Sequence, residues 1–196
     1  MQQFDVKRGS RKCCVTEQLF GPGVFFYSAL FETSSGAIRN DYSCEAWKDS
    51  PWSQKANREE NQDQQTSQEE SPTEEIADQS LIGWWKQRVP ELDSGKVYWA
   101  PDHVLIAWFD SLYARQSEKN ADQNETAWVM ALLLMQKRLL ARQDRETDGD
   151  ILYLVNKKTK QEYTLHEPEI DAQRIDAIQN QLAEQLFSDL PIIEEE

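Results

Sequence analysis

The chain is poor in the residues on which recognisable chemistry is usually built: of 196 residues, three are cysteine, two histidine, seven glycine and seven proline. An odd, unspaced set of three cysteines excludes a disulfide framework and fits a reducing compartment. The two histidines, His103 and His166, lie far apart, so no His-Glu-x-x-His metal motif exists. Each reads as a surface or capping residue. The few glycines form neither a P-loop nor a dinucleotide fingerprint, and no Gly-x-Ser-x-Gly elbow is present. The longest wholly apolar run, Ala127–Met135, is nine residues, about half of the ~18 that a membrane helix requires. Met1–Ser10 is polar, so a Sec leader is not expected either. Cations are scarce as well. Lys and Arg number 21 against 35 Asp and Glu, a net charge of −14, which disfavours nucleic acid as a partner. These absences together predict a non-catalytic cytoplasmic protein with no membrane association.

What is present is a core joined to something very polar. Hydrophobic residues make up 39% and aromatics 10%, yet mean hydropathy is −0.76. The polarity is concentrated. Between Ser53 and Ser80 the acids Glu59, Glu60, Asp63, Glu69, Glu70, Glu74, Glu75 and Asp78 face only Lys55 and Arg58. That stretch has too little apolar surface to offset the roughly 1–2 kcal/mol per residue of backbone ordering, so it reads as a disordered acidic insert. Asp189 and Glu194 to Glu196 add an acidic tail. The expected organisation is a β-rich region at 1–52, the insert at 53–80, an α+β helical region at 81–190 and the tail at 191–196. Apolar residues on both sides of the insert are expected to collapse into one body. The basic cluster Lys7, Arg8, Arg11 and Lys12 reads as a solvated arm.

The pattern predicts an α+β fold: a small β-meander, about three helices and a hairpin. Cys13–Trp47 reads as β, with turns at Gly21-Pro22-Gly23 and Ser34-Ser35-Gly36 flanking the aromatic run Val24–Phe31. Trp84 and Trp85 follow the insert and are expected to re-anchor the chain to the core, since Trp burial removes about 150–250 Å² of surface per ring. Pro101 opens a helix over 101–116 carrying Val104, Leu105, Trp108, Phe109 and Leu112 at helical spacing. Asp122 to Glu125 reads as a capping box opening a helix over 123–144, apolar all round from Ala127 to Met135 and therefore deeply buried. Ile151–Val155 and Glu162–Leu165 form a hairpin around a basic loop. A final helix is expected from Pro168, with Ile175, Ile178, Leu182 and Leu186 as its stripe and Arg174, Gln181 and Glu184 towards solvent.

Four blocks carry a resemblance: Phe26–Leu30, Arg39–Ser43 through Trp47, Trp84–Pro90, and Leu132–Leu140. Their order resembles a family of uncharacterised bacterial proteins with a β-rich start, a Trp-Lys-x-Arg-Val-Pro block and a Leu/Met-rich helix ending in basic residues. The resemblance covers most of the chain outside the insert and implies a fold, not an activity. In some members the β-rich start resembles a zinc knuckle with paired cysteines. Here Cys14 is followed three residues on by Glu17, and the second pair would fall at Ser43 and Ala46, with Cys44 one residue out of register. A tetrahedral zinc site needs four ligands, so a degenerate, metal-free module without cofactor is expected.

The leading expectation is an interaction or scaffold protein whose partner is another protein. Any of Trp47, Trp52, Trp84 and Trp85 that stays exposed is a candidate anchor, and Trp84, Trp85 and Arg88 form the candidate binding block. The alternative is a metal- or redox-sensing module in the Cys13–Trp47 region, with Cys13, Cys14 and Cys44 as candidate zinc ligands. Arg11 and Lys12 stand beside Cys13 and Cys14, where cations favour a thiolate.

Overall fold

The computed structural model describes residues 11–33, 36–53, 80–90, 98–115, 121–143, 150–188 and 192–193. The expected disorder of the insert, the basic pair Lys7 and Arg8, and the acidic residues of the tail lie outside these residues. In chain order the elements are β1 (Phe25–Thr33), β2 (Gly36–Ser43), α1 (Cys44–Lys48), β3 (Ser80–Arg88), β4 (Tyr98–Trp99), α2 (Asp102–Ala114), α3 (Ala121–Gln136), β5 (Leu140–Arg142), β6 (Ile151–Asn156), β7 (Glu162–His166), α4 (Ala172–Leu186), β8 (Phe187–Ser188) and β9 (Ile192–Ile193). The fold is α+β.

Two compact units divide the chain, one of 8–99 with 188–196, the other of 1–7 with 100–187. The division does not fall at the insert, and apolar residues on both sides of the insert do pack together in the first unit. The reason is pairing: β3, beyond the insert, runs antiparallel to β1 from Phe25↔Arg88 to Glu32↔Ser80 and belongs with the N-terminal strands.

The first unit is built on a sheet of order β2-β1-β3-β9. β1 is its central strand and is buried on both faces, which explains why its sequence is apolar without alternation. Phe26, Ser28 and Leu30 point to one face, with Arg39, Asp41, Trp85 and Gln87 from the neighbouring strands. Tyr27 and Ala29 point to the other, opposite Tyr42, Lys86 and Trp84. A register shift after Leu30 sets Phe31 opposite Leu81, and Phe31 packs with Ala29, Tyr42 and Trp47. The Trp pair therefore anchors both faces at once, as consecutive residues of one strand must.

Not all of Cys13–Trp47 is β. Ser43 ends β2 and N-caps α1, its Oγ accepting the Ala46 N–H at 3.1 Å. The five-residue helix lays Trp47 on the sheet, stacked 5.4 Å from Tyr27.

In the second unit α2 packs on α3, and α3 on α4. Val104, Leu105, Trp108, Phe109 and Leu112 are all buried, as their spacing predicts. α3 is shorter than the expected 123–144. It stops at Gln136 because Arg138 adopts φ 63°, and the Arg138 and Leu139 N–H groups bond back to Met135 and Leu134 in a left-handed C-cap. Leu140 then starts β5, which pairs with β6 in the sheet β5-β6-β7. At the other end of α3, Asp122 and Glu125 do not cap the helix; both reach Arg174, at 2.8 and 2.6 Å. Arg174, with its side chain 42% exposed, faces solvent as its place in the stripe suggests and forms these ion pairs there. α4 begins at Ala172 instead of Pro168, because Asp171 is the N-cap and accepts the Arg174 N–H.

Against the hairpin, Tyr163 packs edge-on to Phe109 and Tyr113 and donates its hydroxyl to Asp110 Oδ1 at 2.7 Å. Burial raises the Asp110 pKa, opposed by that hydrogen bond. A raised carboxyl pKa means that the folded chain holds the proton more tightly than the unfolded one. The stabilisation is complete below the ordinary carboxyl value of about 3.9 and is lost as pH rises through the folded value. Asp110→Asn keeps an acceptor for Tyr163 and removes the charge. Its stability relative to wild type should therefore increase from pH 4 to pH 7, measured by urea melts at both values; a constant difference would refute the linkage.

Candidate interaction surface

The candidate site grows out of the Gly21-Pro22-Gly23 turn. Gly23 takes φ 79°, a conformation that side-chain-bearing residues avoid. It bonds to Val89 O, while Val89 N–H bonds to Val24 O, carrying the β1–β3 ladder into the turn. The adjoining side chains are left outward: Leu19 is 72%, Val24 43% and Phe25 41% exposed.

Phe25 sits opposite Arg88, and Tyr27 opposite Lys86, on one sheet face. The Arg88 guanidinium lies 5.4 Å and the Lys86 ammonium 5.7 Å from the Phe25 ring centre, and Lys86 is also 5.6 Å from Tyr27. These are cation–π distances. Arg88 Nε also donates to Gly23 O at 3.3 Å. Two cations are thus held flat on an aromatic strip whose end ring is open. Farther along, Trp84 is half-buried against Tyr27 and Trp47, each 5.7 Å away.

Of the candidate binding residues, Arg88 stands on this surface and Trp84 at its inner margin. Trp85 does not belong to it. It points to the opposite face and is 3% exposed, so a surface role is excluded by the alternation of β3. Trp47 is likewise buried, and Trp52 is half-buried beside Phe31.

The opposite face holds a polar cluster that the sequence reading did not single out. Arg39 and Asp41, with side chains 7% and 6% exposed, pair at 3.0 Å. Ser28 donates to Asp41 at 2.6 Å, and Arg39 Nη2 donates to Gln87 Oε1 at 2.9 Å and Ser28 Oγ at 3.1 Å. The guanidinium also lies 5.2 Å from the Trp85 ring. Ser28, a polar residue within the apolar run of β1, was the available signal.

The three cysteines have different surroundings. Cys13 is fully buried with Phe20, Phe26 and Val89. Its sulfur accepts the N–H groups of Ser43 at 3.3 Å and Thr16 at 3.5 Å. Burial pushes this thiol up, but the Thr16 hydroxyl and the Ser43, Thr16 and Val15 N–H groups together bring it down to about 7. Cys14 is exposed, with its thiol raised by desolvation, and Cys44 donates to Phe25 O at 3.3 Å. Among the described residues no three His, Cys, Asp or Glu side chains are grouped to hold a metal ion. His103 and His166 are both exposed, at the first turn of α2 and the end of β7. No described helix is long and apolar enough to cross a membrane.

No protein-family model, curated protein or solved structure matches this chain significantly.

Proposed function

We propose that this chain is a non-catalytic protein-interaction protein of the cytoplasm, which binds its partner through the end of the N-terminal sheet formed by Leu19, Val24, Phe25, Lys86 and Arg88. The supporting observation is the exposure of three large apolar side chains beside two cations stacked on an aromatic ring. Aromatic residues and Arg are the types over-represented among interface anchors, and clustered exposed apolar surface marks association sites.

The double variant Phe25→Ala/Arg88→Ala tests this. Both residues are exposed, so the loss of folding stability should stay within about 1 kcal/mol. A stoichiometric partner captured from native lysate by the wild-type chain should be lost by the variant. Capture of nothing by either chain, or of the same partner by both, would sink the proposal. The N–H cradle around Cys13 supports the other reading, a metal- or redox-sensing module. Stoichiometric zinc in the purified chain, absent after Cys13→Ser, would favour that reading instead.

A further inference from the structure

The second unit carries a cationic cluster on a chain that is otherwise acidic. β6 and β7 are joined by Lys157-Lys158-Thr159-Lys160, whose residues are all exposed. Asn156, itself 3% exposed, holds this loop from beneath. Its Oδ1 accepts the Lys158 N–H at 2.9 Å and the Thr159 N–H at 3.2 Å, and its carbonyl accepts the Lys160 N–H at 2.9 Å. Lys160 takes φ 64° in closing the turn. A fourth cation comes from the end of α3. The Lys157 N–H bonds to Leu139 O at 3.1 Å, carrying the β5–β6 register one residue past Leu140↔Asn156. Arg138, the residue before Leu139, is exposed and makes the left-handed turn that ends α3. The cap that stops the helix thus sets a guanidinium beside the lysine loop. Among the described residues no ion pair includes Arg138, Lys157, Lys158 or Lys160. The neighbouring Lys137 is taken by Asp102 at 3.3 Å, and Glu162, at the start of β7, accepts from Gln143 at 3.0 Å.

We propose that Arg138, Lys157, Lys158 and Lys160 form a docking site for a short acidic segment of a partner protein. This is a second surface, in a different unit from the Phe25 strip, and it does not depend on the preceding reading. Small-molecule sites are concave, whereas these side chains stand outward on a hairpin tip, so the partner is a macromolecule. Charge decides which kind. A nucleic-acid duplex carries one charge per about 1.7 Å of its axis, and both it and an anionic bilayer extend far past four residues. Either would bring anions over the rest of a chain of net charge −14. An acidic segment of about six to eight extended residues, roughly 20–28 Å long, ends where the cluster ends. Single-stranded nucleic acid binds on exposed rings, and no aromatic residue of the second unit is exposed among the described residues. The loop backbone is already fixed by Asn156, so little ordering of the main chain opposes binding.

The test uses the full chain and a fluorescently labelled octaglutamate peptide, with binding followed by anisotropy at low salt. Lys157→Glu/Lys158→Glu reverses two exposed charges and should weaken binding at least about tenfold. Lys157→Arg/Lys158→Arg keeps both charges and should bind within about threefold of wild type, since no fixed ammonium geometry is required. Lys12→Glu/Lys48→Glu makes the same change in net charge in the first unit and should also stay within about threefold, because distant charges are screened. Amide resonances of Arg138 and of Lys157 to Lys160 should shift as the peptide is added, while those of β1 stay in place. Failure of the wild-type chain to bind the peptide, or equal weakening by the two charge-reversed pairs, would overturn the site. Tighter binding of a labelled oligouridylate or of phosphatidylserine vesicles, lost in Lys157→Glu/Lys158→Glu, would overturn the assignment to an acidic protein segment.

Discussion

Asp41→Ala should remove about 3–5 kcal/mol of folding stability, the usual penalty for taking one partner from a buried ion pair. Arg39 and Asp41 are almost entirely enclosed, and Asp41 also accepts a hydrogen bond from the Ser28 hydroxyl. The variant leaves the Arg39 charge in a low-dielectric interior without that carboxylate, and the Ser28 hydroxyl with only its longer contact to Gln87 Oε1, at 3.2 Å. The loss therefore exceeds that of a surface pair, which is typically about 0–1 kcal/mol. Replacing both charges, Arg39→Met with Asp41→Leu, should cost less than Asp41→Ala alone, because the buried guanidinium is removed together with its carboxylate. Urea melts followed with hydrogen exchange of the β1 amides measure both. A loss below about 1 kcal/mol for Asp41→Ala would show that Arg39 escapes to water and that the pair is not enclosed as described.

Trp47→Ala should cost about 3–5 kcal/mol, the range for emptying a large aromatic site in a core. Trp47 is 4% exposed and touches three rings, those of Tyr27, Tyr42 and Trp84 at 5.4, 5.5 and 5.7 Å. α1 has five residues, far below the ~12–15 at which an isolated helix becomes even marginal. Its helicity depends on Trp47 being seated. The variant should lose near-ultraviolet ellipticity and the exchange protection of α1 together, whereas Trp47→Phe should retain part of both. Retained α1 protection in Trp47→Ala would mean that the Ser43 cap holds the helix without the ring cluster.

Much of the fold was legible where the signal is local. The stripe from Val104 to Leu112 gave α2, the stripe from Ile178 to Leu186 gave α4, and the alternation of Leu152, Leu154, Tyr163 and Leu165 gave the β6–β7 hairpin. Where expectation and structure part, a short-range pattern competed with a long-range one. Leu139 and Leu140 extend the apolar run of α3, but the left-handed turn at Arg138 releases Leu140 to pair with β6. Asp122 and Glu125 have capping-box spacing, but an arginine 49 residues beyond Glu125 claims them. The candidate surface was half legible. Arg88 and Trp84 stood out in sequence, whereas Phe25 looked like any other core aromatic until the β1–β3 register placed it opposite Arg88 at the open end of the strip.

By itself the sequence determined the α+β class, the long helices, the hairpin and the concentration of acid between 53 and 80, because backbone propensity and burial periodicity act within a few residues. Only the tertiary structure decided that β3 joins β1 across the insert, that Trp84 and Trp85 serve opposite faces, and that Arg39, Asp41, Ser28 and Gln87 form one enclosed cluster. Those outcomes depend on strand register over separations of up to 63 residues, and a one-residue slip would have sent every side chain to the other face.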